Sequence, residues 1–170
     1  MNIRTGYIRL ICAKRGIRNL VHFTRAENLG GIAKHGLVPR WMMSRITSVP
    51  SAPIVNEEYR LDGHWDAVCL SIEFPDYTLF ERYRARDPAA TWVVLELNPS
   101  LLWEADSAFC WTNAGAPQIR SVSVPQLRTT NSLSKMFAPR CAVTGIVRSR
   151  AIPPKYPTNP RAEILIFGII

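Results

Sequence analysis

The chain has no apolar run approaching the roughly 18 residues that a membrane-spanning helix needs. It also lacks any C-x-x-C pair. Cys12, Cys69, Cys110 and Cys141 are scattered, which offers neither a zinc ribbon nor a disulfide framework. Its three histidines, His22, His35 and His64, have no ligand spacing, so no metal is expected. There is no Walker A sequence, no G-x-G-x-x-G after a strand and no G-x-S-x-G elbow. The common phosphate-cradling and serine-hydrolase motifs are thereby excluded. The early segment "GYIRLICAKRG" is interrupted by Arg9 and has no small-residue cleavage site, so no secretory signal is expected and the cytoplasm is the expected compartment.

Acid is scarce at both ends. Residues 1–50 hold nine basic residues and one acid, Glu27, while residues 111–170 hold eight basic residues and one acid, Glu163. The middle, 51–110, reverses the balance with eleven acids and four basic residues. The net charge of +8 is therefore concentrated in two segments that could fold into one positive face and attract a polyanion. Lysine is scarce too, at four of the 21 basic residues. Arginine, which makes up the rest, carries a planar donor fork suited to phosphate and base edges.

The 170 residues fit one domain, 1–170, with a real core. The pattern predicts a helix over 5–15 stopped by Gly16 and a strand in "NLVHFT". A helix is expected in "RAENLGGIAKHGL", with Leu29, Ile32 and Ala33 on one side and Gly36 as its stop. Residues 41–66 read as a long loop, a length that in a compact domain tends to be functional or disordered. Strands follow in "AVCLSIEF", "TWVVLEL", "SAFCWTN" and "AEILIFGII", and helices in "DYTLFERYRAR", "PSLLWEAD" and "SLSKMFA". Residues 139–161, with five prolines, read as a second long loop. Helices in front and scattered strands behind indicate an α+β fold.

Three features bear on chemistry: a His-x-Thr at a strand end, an arginine in a long loop, and Glu163. His22 and Thr24 share one face of a strand with Phe23 opposite, and could hold a ribose or an amide. A core histidine bonded to a carbonyl, with Thr24 capping the next helix, satisfies the same spacing. Arg60, among the acids of "NEEYRLD", could equally form a surface ion pair. Glu163 stands alone before the apolar residues 164–170, among arginines that would keep it ionised. Trp41, Tyr77 and Tyr83 are candidates for stacking a ring, or for the core.

The pieces "HFT", "NLGGI", "HGL", "NEEYR", "FCWTNAGA" and "PRAEILIFG", in this order from residue 20 onward, resemble the DarT family of DNA ADP-ribosyltransferase toxins. The resemblance implies an ADP-ribosyltransferase-like fold with central split β-sheets around an NAD cleft and flanking helices. It implies NAD as co-substrate, with His22, Phe23, Thr24, Gly31, Pro39 and Arg60 around it. Glu163 matches the family's catalytic glutamate and Arg60 its essential arginine. Residues 139–161 would be the substrate-binding loop, with Arg140, Arg148, Arg150 and Arg161 as DNA phosphate contacts. The implied partners are single-stranded DNA and an antitoxin ADP-ribosyl-glycohydrolase of macrodomain or NADAR type, with no membrane and a monomeric protein. The block "RLDGHWDAVCLSIEFPDYTLF" is similar to the branch that modifies guanine rather than thymine. An NAD-dependent RNA 2′-phosphotransferase, which shares the His-x-Thr, and a catalytically silent nucleic-acid-binding domain remain open on the sequence.

Overall fold

The computed structural model describes residues 3–46, 54–55 and 60–170. Five antiparallel strands, β1 (Leu20–Arg25), β2 (Ala67–Ile72), β3 (Trp92–Leu97), β4 (Asp106–Cys110) and β5 (Glu163–Phe167), lie in the order β3-β1-β2-β5-β4. Eight α-helices accompany them among the described residues: α1 (Ile3–Arg15), α2 (Leu29–His35), α3 (Arg40–Met43), α4 (Tyr77–Arg86), α5 (Leu101–Glu104), α6 (Pro117–Arg120), α7 (Val124–Leu127) and α8 (Thr130–Lys135). The expected α+β class is what forms.

The strands alternate as their burial demands. On one face Leu20, Val68, Leu70, Ile72, Phe109, Ile164 and Ile166 pack against Ile8 and Cys12 of α1 and Leu133 of α8. On the other, Ala67, Ala108, Cys110 and Leu165 meet Ala114, Ile119 and Leu127 from the segment after β4. Each large apolar side chain buried here contributes roughly 1.5–3 kcal/mol. Helix α1 stops at Gly16, whose φ of 69° is open to glycine at little cost.

Two expectations need correction. The segment expected as one helix starts as a short 3-10 turn over Ala26–Asn28 and becomes α2 only at Leu29. None of α2's residues is fully buried: Leu29 and Ala33 are exposed, and of the proposed apolar side only Ile32 packs against the core. Helices α6 and α7 were not expected: each is a single turn opened by a proline in its first turn, which fixes φ without apolar periodicity. Within 41–66, α3 extends to Met43, and residues 47–53 and 56–59 lie outside the described residues.

The sheet is split. β1 pairs with β3 along six residues and β2 with β5 along four, yet β1 and β2 pair only at Leu20–Ile72 and Val21–Ser71. Beyond Val21 the two halves part, and a cleft of about 690 Å³ opens between them. At the point of parting, His22 Nδ1 lies 2.9 Å from the carbonyl oxygen of Cys69. An imidazole thus satisfies a strand carbonyl that the ladder has abandoned.

Candidate active site

Glu163 is the first residue of β5 and pairs in register with Cys110 of β4. It shares the face of Leu165 and Phe167, lines the cleft, and is 7% exposed. A carboxylate so far from water needs donors, and "FCWTNAGA" supplies them: Asn113 Nδ2 donates to Oε1 at 3.0 Å and the Ala114 N–H to Oε2 at 2.6 Å. Asn113 is itself fixed, its Oδ1 accepting from the Gly115 N–H at 3.0 Å. A Cβ on Gly115 would sit 3.1 Å from Leu61 Cβ and 3.2 Å from Asn113 Oδ1, so a side chain would crowd this turn.

Arg60 reaches the same cleft. Its Nε and Nη2 donate to both oxygens of Asp62, at 3.0 and 2.8 Å, and Nη2 also donates to the His64 carbonyl at 2.7 Å. The pair is sequestered, with side chains 12% and 7% exposed. Burial works against the cation, but the carboxylates of Asp62, hydrogen-bonded to it, and of Glu163 outweigh it and hold the Arg60 pKa above its ordinary value. Arg60 is a permanent charge and not a proton acceptor. The Cys69 thiol is pushed well up, by burial first and by Glu163 second, so it stays protonated and is no nucleophile.

His22 and Thr24 both line the cleft. Burial lowers the His22 pKa against the opposing pull of the Cys69 hydrogen bond, which favours the neutral ring. A carbonyl can only accept, so Nδ1 carries the proton and Nε2 is an acceptor. Thr24 does not cap the next helix: its hydroxyl accepts from Asn28 Nδ2 at 3.0 Å, and Asn28 also bonds both backbone groups of Ile54. Phe23 also belongs to the cleft lining, and its ring packs on Phe80, Tyr83 and Trp92, with ring centroids 4.9–6.1 Å away. Gly31 lines the cleft, whereas Pro39 is buried beside it between the lining residues Val38 and Arg40.

The four loop arginines divide. Arg140 and Arg150 are exposed. Arg161 is 45% exposed at the cleft wall, where its Nε donates to Asp76 at 3.1 Å. Arg148 turns inward: its guanidinium donates to the carbonyls of Ile152, Pro153 and Tyr156 and to Thr158 Oγ1, which folds the loop around it. The two basic ends of the chain do meet, since Arg15 Nη1 donates to the Pro154 carbonyl at 3.3 Å. Of the stacking candidates, Tyr83 is buried, while Trp41 and Tyr77 are exposed. Asp62, Asn113 and Arg82 also belong to the cleft wall and were not singled out from the sequence. Asn113 lay inside a quoted motif, but nothing local marked it as the partner of a residue fifty positions on.

With Glu163, Arg60 and His22 on one cleft, the comparisons with known proteins complete the picture. The family model described as "ssDNA thymidine ADP-ribosyltransferase, DarT" matches residues 21–170. No curated protein matches the chain.

Proposed function

Because the chain belongs to the DarT family of single-stranded DNA ADP-ribosyltransferases, we propose that the split-sheet cleft holds NAD and that Glu163 drives transfer of ADP-ribose to a base, guanine or thymine. The protein is an NAD-dependent DNA ADP-ribosyltransferase, and enzymes of this kind use NAD as co-substrate. Of the three readings open on the sequence, family membership favours the first.

One observation carries the assignment of roles: a carboxylate 7% exposed, gripped by two donors, lines the same cleft as a permanent cation, Arg60. The cleft volume lies in the range of cofactor sites, roughly 300–1,000 Å³. NAD supplies the ADP-ribosyl group, and positive charge builds on its ribose as nicotinamide leaves. Glu163 is fixed before that charge appears, so it stabilises it without reorganising, in a site where water screens little. The attacking base must also lose a proton. Arg60 cannot take it, so Glu163 is the acceptor. Arg40, Arg60, Arg82 and Arg161 are the arginines of the cleft lining available to the pyrophosphate and DNA phosphates. The neutral His22 presents Nε2 to accept from a ribose hydroxyl or an amide N–H.

Loop 139–161 is the DNA-facing element in this reading, with Arg140, Arg150 and Arg161 contacting phosphates and Arg148 holding the loop's shape. For the base, the family description names thymidine, while residues 60–80 resemble the guanine-modifying branch. A modified template base halts replication, so the protein acts as a toxin, held in check by a macrodomain or NADAR-type glycohydrolase.

The test is labelled NAD offered with single-stranded DNA, duplex DNA or RNA, to wild type and to Glu163→Gln. Label on single-stranded DNA that disappears in the variant is the expected result. Unlabelled DNA, or release of a 2′-phosphate from RNA, would sink it. The mass of the digested nucleoside decides between guanine and thymine. Growth arrest by wild type but not Glu163→Gln, relieved by the glycohydrolase, checks the toxin role.

A further inference from the structure

A second cavity, of about 390 Å³, lies between the β2–α4 connection and the loop after Arg148. Its walls are almost wholly apolar: Ile72, Phe74, Pro75 and Tyr77 on one side, Tyr156 and Pro160 among those on the other. Phe74 and Tyr77 are 57% and 53% exposed, a large aromatic area left to solvent. The backbone displays it at a cost. Glu73 has φ 63°, a region that side-chain-bearing residues seldom adopt, and the Phe74 N–H donates to the Ile72 carbonyl at 2.7 Å across this tight turn. Strain of that kind persists where the surroundings enforce it. Here the Glu73 carboxylate is clamped by the backbone N–H groups of Arg18 and Asn19 and by Lys155 Nζ at 2.6 Å. Lys155 precedes Tyr156 in the loop that forms the opposite wall, which Arg148 stiffens from within. Both walls are set in advance.

The groove continues the catalytic cleft. Asp76 and Arg161 line the cleft, and their chain neighbours Pro75, Tyr77, Pro160 and Ala162 line the groove. The ridge between the two is the Asp76–Arg161 pair, whose arginine still shows 45% of its side chain to solvent. We propose that this groove is a second nucleobase subsite, which receives the unstacked base next to the modified one while the intervening phosphate sits on Arg161. The proposal rests on the reading of single-stranded DNA as substrate. Aromatic and proline faces take the flat face of any base, and the cation Lys155, next in chain to the lining residue Tyr156, stands close by. A peptide would leave its backbone polar groups without partners on such a lining. The subsite therefore supplies affinity and register with little choice of base.

The experiment compares oligonucleotides carrying the flanking base with ones abasic at that position, against wild type, Phe74→Ala and Phe74→Ala/Tyr77→Ala. Binding is read by fluorescence anisotropy, transfer by labelled NAD, and NAD binding by calorimetry. Loss of one stacked base predicts a fall in oligonucleotide affinity of about five- to a hundred-fold. The same fall is expected from the abasic site on wild type and from the variants on intact DNA, with no further loss when the two are combined. NAD affinity stays at the wild-type value, and Phe74→Trp restores binding. Variants that bind and modify intact DNA like wild type overturn the proposal, as do losses that simply add or a loss confined to NAD. Failure of the underlying reading looks different: wild type then leaves single-stranded DNA unlabelled.

Discussion

Asn113 holds Glu163. The two lie fifty residues apart, yet Asn113 Nδ2 sits 3.0 Å from Glu163 Oε1 while the adjoining Ala114 N–H takes Oε2. The carboxylate is aimed by the loop after β4 rather than by its own strand. Asn113→Ala removes one donor from the carboxylate, and misaiming a reacting group costs about a hundred-fold in rate. The expected result is a fall in kcat with KM for NAD nearly unchanged; a rise in KM alone would assign Asn113 to binding. Glu163→Gln keeps the shape and loses the charge. It should lower transfer by roughly 10²–10³-fold or more while NAD still binds by calorimetry.

Asp62 neutralises Arg60 in a setting nearly closed to solvent. Asp62→Asn leaves the guanidinium buried with its main anionic partner gone, a change that costs about 3–5 kcal/mol. Urea unfolding should show the lowered midpoint. Asp62→Ala/Arg60→Met, which removes both charges, should recover part of that stability while remaining inactive.

His22 should titrate below the ordinary histidine value of 6.5, because burial disfavours its charged ring. Between 6.5 and the folded value the unfolded chain binds a proton that the folded one does not. Stability therefore falls as pH drops below 6.5 and levels off once the folded group protonates. The imidazole chemical shifts in an NMR titration check this. A midpoint above 6.5 would contradict the neutral ring.

Glu73 works at a lower pH. Burial alone would raise its pKa, but the hydrogen bonds from Lys155, Arg18 and Asn19 hold it below the ordinary 4.5. Its contribution is complete above 4.5 and is lost as pH falls through the folded value. Hydrogen exchange of residues 149–158 should accelerate in that acid range in wild type. In Glu73→Gln it should already be fast at neutral pH.

Much of the fold was legible in the sequence. The spans of β1, β2, β3 and β5 followed from apolar runs bounded by glycine, proline or charge, and α1 from its glycine stop. α6 and α7 were missed because a proline-opened single turn has no period to detect. The apolar side assigned to α2 held only at Ile32, because the helix also borders the cleft and leaves Leu29 and Ala33 exposed. In the site, Glu163 stood out as the lone acid of a basic segment, and His22 and Thr24 by their spacing. Asp62 and Asn113 could not be singled out this way: an acid among acids and an amide in a loop look like ordinary surface.

Residue types and alternation settled which groups exist and which face of its strand each one takes. Those are local properties, set by the two-residue period of a strand and the charge along the chain. Only tertiary structure decided where β1 leaves β2, that His22 would seal that parting, and that a turn after β4 would grip Glu163. The physical reason is that buried polar groups must find partners, and in a split sheet those partners come from strands and turns distant in sequence. The same split brings an isolated acid and an arginine from a loop to the lining of one cleft.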